Sequence, residues 1–222
     1  WQVRTQNALC AYCVENISYE LEKIVTYYEA DVLIKYTANS FPLAKIDRLS
    51  YSFGADEVIK KALESGQTRL AMLIVFSSYS AEDMELLVTK IYRENPMSVP
   101  KEPKSSVIMF SGTNNQRLYE ISIDYGTSME ELAAYKRTVK SFDPIVQSNF
   151  DAENSDPVSK AVFAYNYIEE NCELSEEIQN NTANSALIKG YANSEGCAFA
   201  FVELCHRLGL DCRIVYGQKN WE

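Results

Sequence analysis

The chain has 222 residues, 46% of them hydrophobic, so it can fold around an apolar core as one large domain or two small ones. Its formal net charge of -10 argues against binding to nucleic acid or to an anionic membrane surface, because both would repel it. The sequence contains no run of about 18 apolar residues, which argues against a membrane-spanning segment.

The first residue is Trp1, with neither an initiator Met nor a charged and then apolar leader. This start favours the removal of a targeting segment. The acidic charge and the 15 tyrosines are compatible with an extracellular protein. We therefore expect a location outside the cell or at its surface.

The six cysteines are too few for a disulfide scaffold, and a single histidine, His206, adds no four-ligand metal set. Cys10 and Cys13 form an isolated CxxC pattern in helical spacing, which favours two cysteines on one helical turn over a redox motif. Cys205 and Cys212 flank a predicted helix end, where a disulfide between them stays open. We predict neither a metal nor a cofactor.

Residues 1–125 are predicted to form an α+β layer with helices and strands in mixed order. ENISYELEKIVTYY, residues 15–28, has helical spacing of apolar residues. EADVLIKYTA alternates and predicts a strand with one apolar face, made of Ala30, Val32, Ile34 and Tyr36.

The rest of this region has clearer boundaries. ADEVIKKALESGQ predicts an amphipathic helix ending near Gly66, and TRLAMLIVFSSY predicts a buried strand. Ser80 and Asp83 begin a further helix that Pro96 closes. A Pro-rich loop follows, and then the turn-rich GTNNQ joins two strands in SSVIMFSG and RLYEISIDYG.

Residues 126–222 begin with helix signals. Ser128 and Glu131 have capping-box spacing, and Asp156 with Pro157 predicts the start of a second helix. The second helix has an apolar stripe that consists of Val158, Ala161, Val162, Tyr165 and Ile168.

The segment YANSEGCAFAFVELCHRLGLDCRIVYG, residues 191–217, predicts a helix from Asn193 or Ser194 to Gly209 and then a strand over 212–216. The residues predicted to be buried on this helix are Ala198, Phe201, Val202, Cys205 and Leu208.

This last segment resembles bacterial transglutaminase-like domains, which share the papain-like arrangement of the cysteine protease superfamily. Their pattern is a small residue, Cys, Glu or Gln, Gly, Tyr, Ala, any residue, Ala and Phe, then apolar residues and a Leu-Gly turn into a strand. The nucleophile position falls on Ser194, and Cys197 falls where the family usually has Tyr. The specific match covers 185–217, with weaker similarity back to about residue 55. The matching residues are Glu195, Gly196, Ala198, Ala200 and Phe201.

The resemblance implies an α+β fold with a mixed α/β N-terminal layer, residues 1–125. A papain-like, transglutaminase-like core follows in 126–222, with a helical lead-in, the nucleophile helix and the first strand of an antiparallel sheet. It also implies thiol acyl transfer or amide hydrolysis on protein or peptide substrates, in a secreted or cell-surface protein. The family carries its His and Asp on the next two strands, so we expect the natural chain to continue past residue 222 and to cover the open edge of its sheet.

Serine at position 194 predicts an inactive enzyme. A helix N-terminus and an imidazole turn a thiol into a nucleophilic thiolate, whereas a serine hydroxyl stays protonated and needs a general base. His206 lies twelve residues further along the same predicted helix, about 18 Å along its axis, and cannot serve Ser194.

Three origins of Ser194 remain open: a natural serine in a degenerate member, a deliberate replacement of a natural cysteine, or a helix-terminal serine with no functional past. The alternative function is a non-catalytic module that binds a peptide or a cell-wall stem on the same fold. A third possibility is an unrelated α+β domain that matches by accident. His- and Asp-bearing strands beyond residue 222 would favour the enzyme.

Overall fold

The computed structural model describes residues 6–37, 41–153 and 155–217, with the backbone alone at 143–149. Its contacts divide the chain into two compact units. The first comprises Trp1–Val58, Arg69–Glu85 and Ser106–Ser122, and the second comprises Ile59–Thr68, Leu86–Ser105 and Ile123–Glu222. Each unit therefore draws on separate stretches of the sequence. Among the described residues, no helix is long and apolar enough to cross a membrane.

The first unit begins with helix α1 (Ala8–Cys13), which carries the CxxC pair on one helical element as predicted. Strands β1 (Val14–Ile24) and β2 (Tyr27–Tyr36) then form an antiparallel hairpin in which Ile24 faces Tyr27. The strand predicted from EADVLIKYTA is confirmed as β2. Its apolar residues are nevertheless exposed along the whole strand.

The helix predicted over residues 15–28 is wrong, because this segment forms β1, the turn and the start of β2. It is rich in β-branched and aromatic residues, which favour strands, and a partner strand follows two residues later. Most of its residues are exposed on both faces of the hairpin. Because neither face is buried, the sequence does not need to alternate between apolar and polar residues. The helical spacing of its apolar residues therefore predicted the wrong element.

A four-stranded mixed sheet forms the centre of the first unit, in the order β3-β4-β6-β5. Strand β3 runs parallel to β4, and β4 runs antiparallel to β6. The predicted strands in TRLAMLIVFSSY, SSVIMFSG and RLYEISIDYG are confirmed, and residues 70–74 are buried. The bounds are β3 (Asp47–Tyr51), β4 (Arg69–Phe76), β5 (Lys104–Ser111) and β6 (Arg117–Asp124).

Three helices begin or end where the sequence predicts. Helix α2 (Ala55–Ser65) stops before Gly66, whose φ of 74° lies in the left-handed region. Helix α3 (Ala81–Glu94) begins after Ser80, whose hydroxyl accepts from the Asp83 N–H at 3.1 Å. Helix α4 (Met129–Asn149) begins with the capping box predicted from Ser128 and Glu131.

The capping box of α4 predicts a pH effect. Hydrogen bonds from the Ser128 N–H and from the Thr127 and Ser128 hydroxyls hold the pKa of Glu131 at about 2. This lowered pKa contributes stability above the ordinary glutamate pKa, and the contribution is lost as the pH falls towards 2. Glu131→Gln should therefore flatten the acid side of the stability profile, measured by urea unfolding at pH 6 and pH 3. An equal effect of Glu130→Gln on the same turn would contradict this assignment.

The second unit is mainly helical. Helix α5 (Pro157–Asn171) begins at Asp156, whose carboxylate accepts from the N–H groups of Val158 and Ser159 as the sequence predicts. Strands β7 (Glu173–Leu174) and β8 (Tyr191–Ala192) pair in parallel, on either side of helix α6 (Ala183–Leu187). Helix α7 (Ser194–Arg207) packs against α4, α5 and α6. One core cluster consists of Phe142, Ala164, Leu204, Cys205 and Leu208.

Three residues of the apolar stripe predicted on α5, namely Val158, Val162 and Tyr165, are exposed, whereas Ala161 and Ile168 are half-buried and Ile168 packs against the core. Val158 is 71% exposed, and Tyr165 is 60% exposed. The helix instead packs through a second apolar face that holds Ala164, Phe163 and Tyr167. Both faces of α5 are apolar, so periodicity alone did not identify the buried one.

The end of the chain also departs from prediction. Helix α7 ends as predicted, with Gly209 at a φ of 76° and the Leu210 N–H bonded to the Cys205 carbonyl at 2.8 Å. Residues 211–217, however, form neither helix nor strand, so the predicted strand over 212–216 is wrong for the described chain. A strand needs a hydrogen-bonded neighbour, and none lies beside this segment among the described residues. Ile214 still packs against the second unit's core, near Phe199.

Burial on α7 is partly as predicted. Val202, Cys205 and Leu208 are buried, whereas Phe201 is half-buried and Ala198 is exposed. The buried face is rotated towards residues that the sequence-based prediction omitted, namely Phe199, Ala200 and Leu204.

Candidate functional site

The entrance of helix α7 lies where the sequence predicts it. Ser194 is the first helical residue and is exposed, as is Glu195. The short strand β8 leads directly into Asn193, whose side-chain oxygen accepts from the Gly196 N–H at 3.0 Å. The chain therefore presents the Ser194 hydroxyl at a capped helix N-terminus.

The amide-rich framing loop, residues 175–182 before α6, lies against this entrance. The Asn193 N–H donates to the carbonyl of Asn180 at 3.0 Å, and Asn180 itself is buried. The side-chain amide of Asn181 donates to the Glu195 carboxylate at 3.2 Å. Backbone and side-chain hydrogen bonds thus fix the loop against the first turn of α7.

Gly196 allows this close approach. A Cβ atom at residue 196 would lie 2.6 Å from the Asn180 carbonyl oxygen and 3.0 Å from the Thr182 nitrogen. Both neighbours are backbone atoms of the framing loop, which cannot rotate away as a flexible side chain would. Glycine at this position is therefore a requirement of the packing and not of the helix itself.

Two opposing electrostatic effects act at the entrance: the N–H groups of the helix start favour a negative charge at residue 194, and the Glu195 carboxylate disfavours it. Asn193 caps the Gly196 N–H, and the N–H groups of Ser194 and Glu195 meet no acceptor in the described part of the chain. Such groups, together with the helix dipole, can hold an oxyanion or lower the pKa of a thiol. The exposed Glu195 carboxylate opposes both effects, because it adds a like charge on the same turn.

His206 lies at the opposite end of α7 and takes no part in this arrangement. It is in the last turn, about 18 Å from Ser194 along the helix axis. Its Nε2 lies 2.7 Å from the Cys212 carbonyl oxygen, which can only accept, so Nε2 carries the proton. His206 also lines a polar cavity with Lys60, Glu94, Asn95, Asp211, Cys212 and Arg213.

Cys197 is one turn after Ser194 and is half-buried. Its sulfur lies 4.0 Å from the sulfur of Cys172, the residue that follows α5. Burial, and then the neighbouring Cys197, raise the pKa of the Cys172 thiol to about 11. Cys172 is therefore protonated at neutral pH.

The thiols of Cys205 and Cys212 are also neighbours, as their positions around the helix end suggest. Both are free, and both belong to the cluster around Leu204. Burial and the nearby Cys212 raise the pKa of the Cys205 thiol to about 12. Within the described residues, His, Cys, Asp and Glu side chains form no group of three or more that could hold a metal ion.

Residues 146–222 match the family model of the transglutaminase-like superfamily. A transglutaminase-like domain lies at the C-terminal end of this chain. No curated protein matches the chain. The matched segment contains α5, α6 and α7 with the framing loop, so the entrance described above lies within the transglutaminase-like domain.

The sequence predicted the start of α7 at Asn193 or Ser194, but it did not predict the contacts that the framing loop makes with this start. Asn180 holds the start of α7 through its backbone carbonyl, which accepts from the Asn193 N–H. Every residue type has this carbonyl, so the sequence does not signal the contact. Asn193 was recognisable as a residue type that commonly caps helices. The side-chain amide of Asn181 adds a hydrogen bond to Glu195, which the polar composition of the loop does not predict.

Proposed function

We propose that the transglutaminase-like domain provides a frame for acyl transfer or amide hydrolysis on protein or peptide substrates, with Ser194 at the nucleophile position. The observation that carries this proposal is the first turn of α7, which presents an exposed Ser194 at a capped helix N-terminus. Gly196 packs this turn against the framing loop, as a site that must hold its nucleophile rigidly requires.

We further propose that the chain is catalytically silent as it stands. The helix N-terminus contributes on the order of 1 kcal/mol, which is too little to ionise a serine hydroxyl. A serine nucleophile therefore depends on a general base within hydrogen-bond reach. The described residues supply His206 only at the far end of the same helix.

The first test is an assay of the unmodified protein with a glutamine-bearing protein and a labelled primary amine. We expect the unmodified protein to incorporate the amine and to hydrolyse the amide no faster than the Ser194→Ala variant does. Product formation that Ser194→Ala abolishes would show that Ser194 is a working nucleophile and would contradict catalytic silence.

The second test concerns the acyl-transfer frame itself. A thiol at position 194 should be acylated by an activated ester, because helix N–H groups can stabilise both the thiolate and the oxyanion. We expect Ser194→Cys to gain one acyl group at residue 194, detected by peptide mass spectrometry. Acylation at Cys197 alone would contradict the proposed nucleophile position.

A second candidate function is binding of a peptide or cell-wall stem without catalysis. It is favoured by an open apolar groove beside α7, which the exposed stripe of α5 lines together with Phe201. The affinity for an apolar peptide, measured by fluorescence anisotropy, should then fall in Val162→Lys and stay unchanged in Lys189→Ala. Equal binding by the two variants would argue against this candidate.

Bacterial origin and a location at the cell surface or outside the cell are part of the same proposal. They are supported by the net charge of -10 and by the resemblance to bacterial domains of this kind. Fractionation of the cells tests this location. Detection of the protein in the culture medium or on intact cells would support it, and detection only in lysed cells would contradict it.

A further inference from the structure

Two thiols lie in contact at the base of the α7 entrance, and the acyl-transfer proposal uses neither of them. The sulfur atoms of Cys172 and Cys197 are 4.0 Å apart, and 25 positions separate the two residues in the chain. A disulfide has an S–S distance of about 2.05 Å, so the sulfurs must approach by about 2 Å for the bond to form.

The surroundings hold both side chains on one surface. Cys172 and Cys197 pack against the same small cluster of Ala186, Ala192 and Ala200. These alanines belong to α6, β8 and α7, all of which are ordered elements of the second unit. The proximity of the two thiols therefore follows from the packing of three elements.

The pair is also accessible from outside. Both cysteines line an open depression, whose other walls are apolar or aromatic residues apart from Glu169. Each cysteine is half-buried rather than enclosed. A small-molecule disulfide can therefore reach the pair without unfolding of the domain.

We propose that Cys172 and Cys197 form a site of reversible oxidation, where a small-molecule disulfide converts the two thiols into an intramolecular disulfide. The bond would close a ring of residues 172–197. This ring contains β7, the amide-rich loop, α6, β8 and Ser194, which is the whole frame of the α7 entrance. The proposal stands independently of any acyl-transfer role for Ser194.

The exchange proceeds in two steps. The Cys197 thiolate attacks one sulfur of the small disulfide, whose S–S bond breaks, and the first small thiolate leaves and takes up a proton. Cys172 then attacks the Cys197 sulfur of the mixed disulfide, and the second small thiolate leaves with the Cys172 proton. Two protein thiols are oxidised, and one small disulfide is reduced to two thiols. Burial, and the neighbouring Cys197 sulfur at 4.0 Å, raise the pKa of the Cys172 thiol, so Cys172 suits the second step, in which its proton passes to the leaving thiolate.

The test uses the full chain with oxidised glutathione, followed by digestion without reduction and mass spectrometry. We expect a linked pair of peptides that contain Cys172 and Cys197, lighter by two hydrogen atoms than the free pair. The link should persist in Cys10→Ala. Exclusive linkage of Cys205 to Cys212, or free Cys172 and Cys197 after prolonged oxidation, would overturn the proposal.

Single variants test the two-step exchange. Cys172→Ala should accumulate a glutathione adduct at Cys197, and neither Cys172→Ala nor Cys197→Ala should form the intramolecular link. The oxidised wild type should melt about 5–10 °C above the reduced protein, and Cys172→Ala should show no such shift. A link that leaves the melting temperature unchanged would contradict closure of a stabilising ring.

Discussion

Replacing Gly196 by alanine is expected to lower the free energy of unfolding by about 3 kcal/mol or more. The new Cβ would lie 2.6 Å from the Asn180 carbonyl oxygen, so either the loop or the first turn of α7 must move. This loss exceeds the roughly 1 kcal/mol that alanine gains over glycine inside a helix. Urea unfolding followed by circular dichroism measures the difference.

Gly209→Ala is the matched control for this prediction. Gly209 has a φ of 76°, but a Cβ at that residue would meet no atom of the described residues within 4 Å beyond its chain neighbours. The same substitution should therefore cost only about 1–2 kcal/mol, from the left-handed backbone. A smaller loss for Gly196→Ala than for Gly209→Ala would show that the framing loop does not contact α7 closely.

Ser194→Cys should create a thiol whose pKa lies about one unit below the ordinary value of about 8.5. The N–H groups at the start of α7 favour the thiolate, and Glu195 opposes it. Alkylation at pH 7 should then be about threefold to tenfold faster than for an ordinary cysteine. The rate of iodoacetamide modification at residue 194 between pH 5 and pH 10 gives this pKa.

Removal of the opposing charge provides the control. Ser194→Cys combined with Glu195→Gln should lower the thiol pKa further, because only the carboxylate is lost while the helix N-terminus remains. An unchanged pKa in the double variant would show that Glu195 does not influence position 194. A pKa above 8.5 in the single variant would contradict a thiolate-stabilising helix start.

Helix boundaries were the most predictable part of the fold. Local side chains specify them, as Ser128 with Glu131 and Asp156 with Pro157 illustrate. The buried strand β4 was equally clear, because a central strand of a mixed sheet has a continuous apolar sequence. These features depend on neighbours in the sequence, so the sequence alone reveals them.

Features that depend on strand pairing or tertiary packing were not predictable. Residues 15–24 lie in a strand because β2 pairs with them, and residues 212–216 lack a partner strand among the described residues. On α5, two apolar faces compete, and the tertiary packing decides that Ala164 rather than Val162 is buried. Periodicity contains no information on any of these three outcomes.

The candidate site was predictable in one respect and hidden in another. The resemblance pointed to Gly196, and the structure supplies its physical reason in the Asn180 carbonyl. The contact between Cys172 and Cys197 was not foreseen, since it joins the end of one helix to the first turn of another. Sequence spacing does not relate two cysteines across an intervening helix and two short strands.

We propose that Ser194 occupies the reactive position of the transglutaminase-like domain. The most direct test of this proposal is peptide mapping of the Ser194→Cys protein after limiting iodoacetamide at neutral pH. We expect residue 194 to be labelled first, ahead of the half-buried Cys197. Labelling of Cys197 before residue 194 would contradict the proposal, and would show that the family pattern must be shifted by three residues along α7.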